Sequence, residues 1–184
     1  MTTKLLNNIL HTPDYNTGGV SRIYLLDVDD FVSYQFEGNQ LYDKVLVEKM
    51  KVRSSDYITL DIVDETEFSE NYANGIYKQE LKTFVRTIDH SKTASLLAMQ
   101  NRNYVVFFGS NDGLYTFGSD GGASVSFNQQ TGQMRGVAGY NLTIHKDSIY
   151  PLFEVDEARL NRIDVLGAES LEAIVTEIGK LIQV

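Results

Sequence analysis

Hydrophobic and polar positions alternate along most of this chain, and in its second half they do so in short runs cut by turn residues. Tyr104-Val-Val-Phe-Phe108, Leu114-Tyr-Thr-Phe117, Ser124-Val-Ser-Phe127 and Tyr140-Asn-Leu-Thr-Ile144 are rich in β-branched and aromatic residues. Asn111-Asp-Gly113 and Ser119-Asp-Gly-Gly122 separate them and supply the positive φ angles of tight turns. The pattern predicts antiparallel β-structure joined by hairpins.

Upstream, residues 1–19 read as an arm that holds Pro13 and ends in Gly18-Gly19. Val20–Asp27 follows as a strand, with Val20, Arg22, Tyr24 and Leu26 on one face and Ser21, Ile23 and Leu25 on the other. Asp27–Phe31 interrupts it. Lys44–Val52 and Tyr57–Val63 read as two further, adjacent strands, with Ile58, Leu60 and Ile62 facing one way. Glu65–Tyr72 and Ile76–Ile88 flank Ala73-Asn74-Gly75, and Asn-Gly predicts a long hairpin. Its tip bears Glu65, Glu67, Glu70 and Tyr72 against Lys78 and Lys82, which suits a segment standing away from the core. Thr93–Gln100 predicts a helix capped by Ser91, with Leu96, Leu97 and Met99 as its apolar stripe.

After Pro151 the period changes from two to that of a helix. Asp156–Val165 predicts one helix, Gly167 a break, and Glu169–Ile182 a second helix. Leu171, Ile174, Val175, Ile178, Leu181 and Ile182 fall on one side of that last segment. Such a stripe must be buried against the body of the chain or against a neighbouring subunit. The expected organisation is an N-terminal arm (1–19), a β-domain (20–151) and a C-terminal helical extension (152–184).

Composition adds bounds to this picture. At 184 residues, 42% apolar and 22% charged, the chain is globular, and a domain of about 150 residues buries roughly 70% of its unfolded surface. No cysteine is present, which removes disulfides and thiolate metal sites. The first ten residues lack the charge cluster and apolar core of a signal peptide, and no apolar run approaches the roughly 20 residues of a membrane span. A formal net charge of −9 opposes tight wrapping of nucleic-acid phosphates. It does not oppose a channel through which DNA merely passes.

Candidate chemistry is sparse. His11, His90 and His145 lie in unrelated segments. Asp89-His90-Ser91 has the residue types of a hydrolase triad, yet sequence neighbours cannot line up nucleophile, base and orienting group. Asp27, Asp29 and Asp30 form an acidic cluster, but Val32 and Gly38 stand where an EF-hand needs glycine and glutamate. Gly118–Gly122 precedes a strand and lacks the Gly-Lys-Ser/Thr of a phosphate loop. No nucleophile and base pair stands out, no cofactor is implied, and the expectation is a protein without enzymatic activity. Eleven tyrosines and nine phenylalanines are available for core and contact surfaces. Tyr72, Asn74, Gly75 and Tyr77 at the hairpin tip, with Leu171, Ile174, Val175, Ile178 and Leu181 in the tail, are the candidate interaction residues.

Several pieces in one order carry a resemblance: Gly18-Gly19-Val20-Ser-Arg-Ile-Tyr24, Phe68-Ser-Glu70 before Asn74-Gly75-Ile-Tyr77, and Asn101-Arg-Asn103. Tyr104–Phe108 with Asn111-Asp-Gly113, Gly118-Ser-Asp-Gly-Gly122 and Gly139-Tyr140-Asn-Leu-Thr143 complete the set. Over Gly18–Pro151 the chain resembles the tail-tube-like and neck-ring structural proteins of phages that infect Bacteroidales, the crAss-like phages included. Tyr115 stands where that pattern has tryptophan, and the tail after Pro151 lies outside it. The resemblance implies a β-sandwich or barrel of tail-tube type with one flanking helix, forming a homo-oligomeric ring, a hexamer or dodecamer. The ring would sit in the virion neck or tail, assembled in the host bacterial cytoplasm, between portal, neck or tail proteins. Its lumen would pass double-stranded DNA without sequence-specific binding. A carbohydrate-binding β-sandwich, with tyrosines on one sheet face and a calcium site near Asp27–Asp30, is the alternative.

Overall fold

The apolar run Tyr104–Phe108 becomes the centre of a strand whose two faces are both buried, and the molecule is arranged around it. The computed structural model describes residues 19–36, 45–54, 56–60, 64–110, 113–131, 136–156 and 163–165. In chain order they form β1 (Val20–Asp27), a 3-10 turn (Val28–Asp30), β2 (Phe31–Phe36), β3 (Leu46–Val52), β4 (Tyr57–Leu60), β5 (Asp64–Ala73) and β6 (Ile76–Arg86). Helix α1 (His90–Met99) follows, then β7 (Asn103–Ser110), β8 (Leu114–Phe117), β9 (Ala123–Gln130), β10 (Gly139–Ser148), β11 (Phe153–Val155) and β12 (Ile163–Val165). The fold is mainly β with one flanking helix, and its twelve strands connect into one large mixed sheet that does not close.

On one edge β7 pairs with β1, from Val20↔Ser110 to Asp27↔Tyr104. Its other edge is shared: Val106–Gly109 pair with β8, and Asn103–Tyr104 with the start of β9. Alternation then sends side chains into two cores. Ile23 and Leu25 of β1 join Tyr104, Val106 and Phe108 of β7 in the first core, which β9, β10, β6 and α1 cover with Val125, Tyr140, Leu142, Ile144, Leu81, Leu96 and Met99. Leu26, Val105 and Phe107 point the other way, into a second core completed by Val47, Met50 and Val52 of β3 and Phe153 and Val155 of β11.

The two-faced reading of β1 therefore holds from Ile23 to Leu26, but Val20, expected on the face of Tyr24 and Leu26, packs against the first core because the ladder shifts between Val20 and Arg22. Several neighbouring expectations are corrected as well. β3 and β4 are not adjacent. β4 pairs with β1, whereas β3 lies between β2 and the parallel strands β11 and β12. Phe31–Phe36, which the sequence pattern left outside any strand, is the missing partner. Its ladder is bulged at Phe31/Ser33 and Gln35/Phe36, so the regular alternation that marks a strand is broken there. In β4, Leu60 reaches the first core while Ile58 stays 39% exposed at the sheet margin; Ile62 lies outside the described residues.

β8 and β9 do not form a hairpin with one another. Gly118–Gly122 instead carries the chain from one partner of β7 to the next, with positive φ at Gly118, Gly121 and Gly122 and a Gly122 N–H to Gly118 carbonyl bond of 2.8 Å. The crossing is tight. A Cβ on Gly122 would come 2.5 Å from Asn103 Cβ.

Helix α1 begins three residues earlier than its apolar stripe implies. Asp89 occupies the N-cap position and Ser91 lies in the first turn, where its hydroxyl donates to the Asp89 carboxylate. The anchor is Tyr140 of β10, fully buried, whose hydroxyl meets Thr93 Oγ1 at 2.7 Å and donates to the Asp89 carbonyl at 3.1 Å. Leu96 and Met99 are buried, but Leu97 is exposed because its side of the helix faces away from the sheet.

The sheet continues past Pro151. Ile163–Val165, expected as helix, is instead a strand parallel to Met50–Val52, consistent with the β-branched residues flanking Asp164. Glu169–Ile182, including Leu171, Ile174, Val175, Ile178 and Leu181, and residues 1–18 of the arm lie outside the described residues. Gly122→Ala is expected to cost about 2 kcal/mol or more, since it combines a positive φ with a backbone-level clash. Urea unfolding checks this, and a loss under half that value would show that β7 can yield at Asn103.

Candidate assembly surface

The hairpin β5–β6 turns at Asn74 (φ 55°) and Gly75 (φ 82°), the pair of positive angles a two-residue turn needs. Tyr72 and Tyr77 face each other across it with ring centroids 4.7 Å apart, and Tyr72 is 62% exposed. The structure thus brings Tyr72, Asn74, Gly75 and Tyr77 together at one tip. The hairpin does not stand away from the body, however. β10 runs beside β6 from Gly139↔Arg86 to Ser148↔Tyr77, so only the tip projects beyond the sheet.

Its inner face is held by polar contacts around the buried Gln79. Gln79, fully buried, donates from Nε2 to Glu70 Oε2 at 2.8 Å and to the Tyr150 carbonyl at 3.2 Å. The same Glu70 oxygen accepts from Leu152 N–H at 2.7 Å. Glu70, expected as part of a polar tip, is therefore the tie between β5 and the corner after β10. Nearby, Lys146 Nζ donates to the Asp120 carbonyl at 2.7 Å and stands 3.5 Å from its carboxylate, whose other oxygen accepts from Ile149 N–H. The Asp120-Gly-Gly turn is held by this ion pair.

β9, β10, β6 and β5 form a four-stranded antiparallel sheet whose far face points away from the first core. That face is polar. β9 contributes Ser124, Ser126, Asn128 and Gln130, and β10 contributes Asn141, Thr143, His145 and Asp147 opposite Phe84, Lys82, Glu80 and Lys78 of β6. Among the side chains described on this face, Lys78, Lys82 and Arg86 are matched in number by Glu67, Glu80 and Asp147, and the register adds Asp64 opposite Phe84, so the face is close to charge balance in a chain of net charge −9. Lys82 lies 2.5 Å from Glu80 and 3.9 Å from Glu67. A shallow hollow of about 980 Å³ spreads over Glu67, Lys82, Phe84, Arg86, Gln130 and Asn141.

Both lateral edges of this sheet carry backbone groups directed outward. In a two-residue hairpin the residues flanking the turn form a hydrogen-bonded pair, so Ala73, Asn71, Ser69 and Glu67 bond to β6. Phe68, Glu70 and Tyr72 then turn their N–H and C=O groups to the other side, where no strand pairs with β5 among the described residues. Continuing the alternation across β6 and β10 directs Val125, Phe127 and Gln129 of β9 to the opposite free side, past the short contact of Ala123 and Ser124 with β7. The sequence marked the tip of this surface but not its edges, because edge status is a property of topology.

The other candidate chemistry is absorbed by structure. Ser91 Oγ and His90 Nδ1 both contact the Asp89 carboxylate, so the hydroxyl is bonded to the acid and not to the imidazole a nucleophile would need. Asp27 Oδ1 accepts from Asp29 N–H at 3.0 Å and Oδ2 from Arg102 at 2.6 Å. Burial pushes the Asp27 carboxyl up, but the Arg102 and Asp29 hydrogen bonds outweigh it and hold the group below the usual aspartate range. Burial raises the Tyr34 phenol far above its ordinary value, and its hydroxyl lies 2.7 Å from Thr116 Oγ1 in the second core. Among the described residues no three acidic or histidine side chains gather as a metal site, and no helix is long and apolar enough to cross a membrane. No protein-family model, curated protein or solved structure matches the chain.

Because its pKa is depressed, Asp27 contributes stability that is present above its unfolded value, about 3.9, and lost as pH falls through the lower folded value. Asp27→Asn is expected to cost about 1 kcal/mol at neutral pH, as an exposed ion pair and a turn cap together would. Unfolding curves of the two proteins should converge below pH ~4. A gap that stays constant down to acid pH would show that the charge is not what Arg102 recognises.

Proposed function

We propose that this chain is a structural subunit of a phage virion that assembles edge to edge into a ring in the neck or tail, with the polar four-stranded sheet lining a lumen for double-stranded DNA. One observation carries the reading: a sheet that is polar and close to charge balance on its outer face, with three outward-directed residues on each lateral edge. Such edges are templates for strand addition, and a head-to-tail contact that repeats by rotation closes a ring. The strand count suits this closure. Four alternating strands leave β5 running opposite to β9, so rotated copies about one axis meet β5 to β9 in antiparallel register and the alternation continues around the ring.

The lumen chemistry follows from the same face. Hydroxyl and amide side chains with internally matched charges offer DNA phosphates no surplus of cations, so little counterion release drives binding. Passage, not retention, is what such a wall favours. The exposed tip at Tyr72 and Tyr77 lies at one end of the strands, where it would meet the next ring or a portal or tail neighbour.

Tyr72→Pro tests the edge directly, because it removes an N–H that points outward and so leaves the β5–β6 ladder intact. Native mass spectrometry of the unmodified chain, alone and with neighbouring virion proteins, is expected to give a closed ring of six or twelve copies. The proline variant should remain a folded monomer. An unmodified chain that stays monomeric under all those conditions, or a variant that still forms rings, would overturn the reading.

A further inference from the structure

We infer that a groove on the side of the sandwich is the docking site of the chain's own N-terminal segment, Leu5–Leu10. Two hollows, of about 390 and 300 Å³, share Tyr115 and Leu152 as a common wall. The first opens between Leu46 and Leu152, and the second between Phe68, Phe108 and Val20. Their floor is aromatic: Phe108 stacks on Phe68 at 4.8 Å and on Tyr115 at 5.6 Å. Val20, Phe68, Tyr115 and Leu152 pack against the first core yet remain only partly buried, so a continuous apolar strip is left at its margin.

Three features select the occupant. Gly19, to which residues 1–18 are joined, lines the second hollow. Within them, Leu5, Leu6, Ile9 and Leu10 recur at the spacing that puts four aliphatic side chains on one face of a helical turn. The eight residues between Leu10 and Gly19 reach about 26 Å when extended, at about 3.3 Å each, which spans the groove with room for the turn that Pro13 and Gly18-Gly19 permit. The short tether also holds the segment at an effective concentration in the millimolar range. Lys4, just before the stripe, is opposite in charge to a rim that carries Glu67 and Glu154. The C-terminal tail competes poorly for this place, since Ile163–Val165 pair with Met50–Val52, at the end of β3 remote from Leu46.

The assignment does not depend on ring formation, and it is tested on the full chain at high dilution. The chain has no tryptophan, so Tyr115→Trp places a single fluorophore in the groove. Emission is expected to be blue-shifted and protected from acrylamide. Replacing Leu5, Leu6, Ile9 and Leu10 together by serine should shift it to the red and raise quenching several-fold, equally at every protein concentration. Amide exchange of Leu114–Phe117, compared between the unmodified chain and the same serine variant, gives the second readout without altering Tyr115. Emission and exchange that ignore the serine substitutions would overturn the proposal. So would protection that appears only as concentration rises, which would mean that the segment of a second copy fills the groove.

Discussion

The pairing of β7 on both edges, with apolar side chains on both faces, is the constraint from which the rest of the molecule follows. A strand buried on both sides has no solvent-facing row to tolerate polar residues, and Tyr104–Phe108 contains none except the tyrosine hydroxyl. It therefore needs one layer against each face. The β9-β10-β6-β5 sheet with α1 supplies the first, and the β2-β3-β11 group supplies the second. Because β8 and β9 divide one edge of β7 between them, the chain must change layers at Gly118–Gly122, and only glycine fits where that crossing touches Asn103. Disturbing this one crossing would loosen both cores at once.

What the chain made legible is local. Continuous apolar runs, the Asn74-Gly75 turn and the alternation of β1 from Ile23 to Leu26 translate directly into structure, because each depends on residues close in sequence. The errors share a physical origin. Phe31–Phe36 is bulged and so loses its period of two; Ile163–Val165 is three residues long and sits in a segment with helical spacing. Its pairing comes from β3, more than a hundred residues earlier, and no local window contains it. Ser91 and Asp89 are both competent caps, and the choice between them is made by Tyr140, which grips the Asp89 carbonyl from β10. Of the candidate surface, the tyrosine tip could be read from exposure-prone residues at a turn. The outward-directed edges and the near balance of charge on the outer face could not, since both arise only when four separate segments are laid side by side.

Charge distribution then connects fold to assembly. A chain of net charge −9 repels its own copies at long range, and in salt that repulsion fades beyond about 10 Å. An interface between such copies must draw on forces that act at contact and do not depend on charge. Backbone hydrogen bonds along a strand edge meet that requirement, because they are short-ranged and indifferent to side-chain sign. In the proposed ring, long-range repulsion with short-range edge pairing would also guard the free subunit: the carboxylates of Glu67 and Glu70 on β5 would discourage haphazard edge contact, while a neighbour presented in register would still find the outward groups of Phe68, Glu70 and Tyr72. Glu70 has a second part in this. By accepting from Gln79 and Leu152 it ties β5 to the body, so in the proposed ring the edge would be set before a partner arrives and less conformational entropy would be lost on pairing. In the proposed ring, the same residue that keeps the edge from wandering would keep it ready, and the polar contacts behind the hairpin would serve assembly through the order they impose on the strand in front of them.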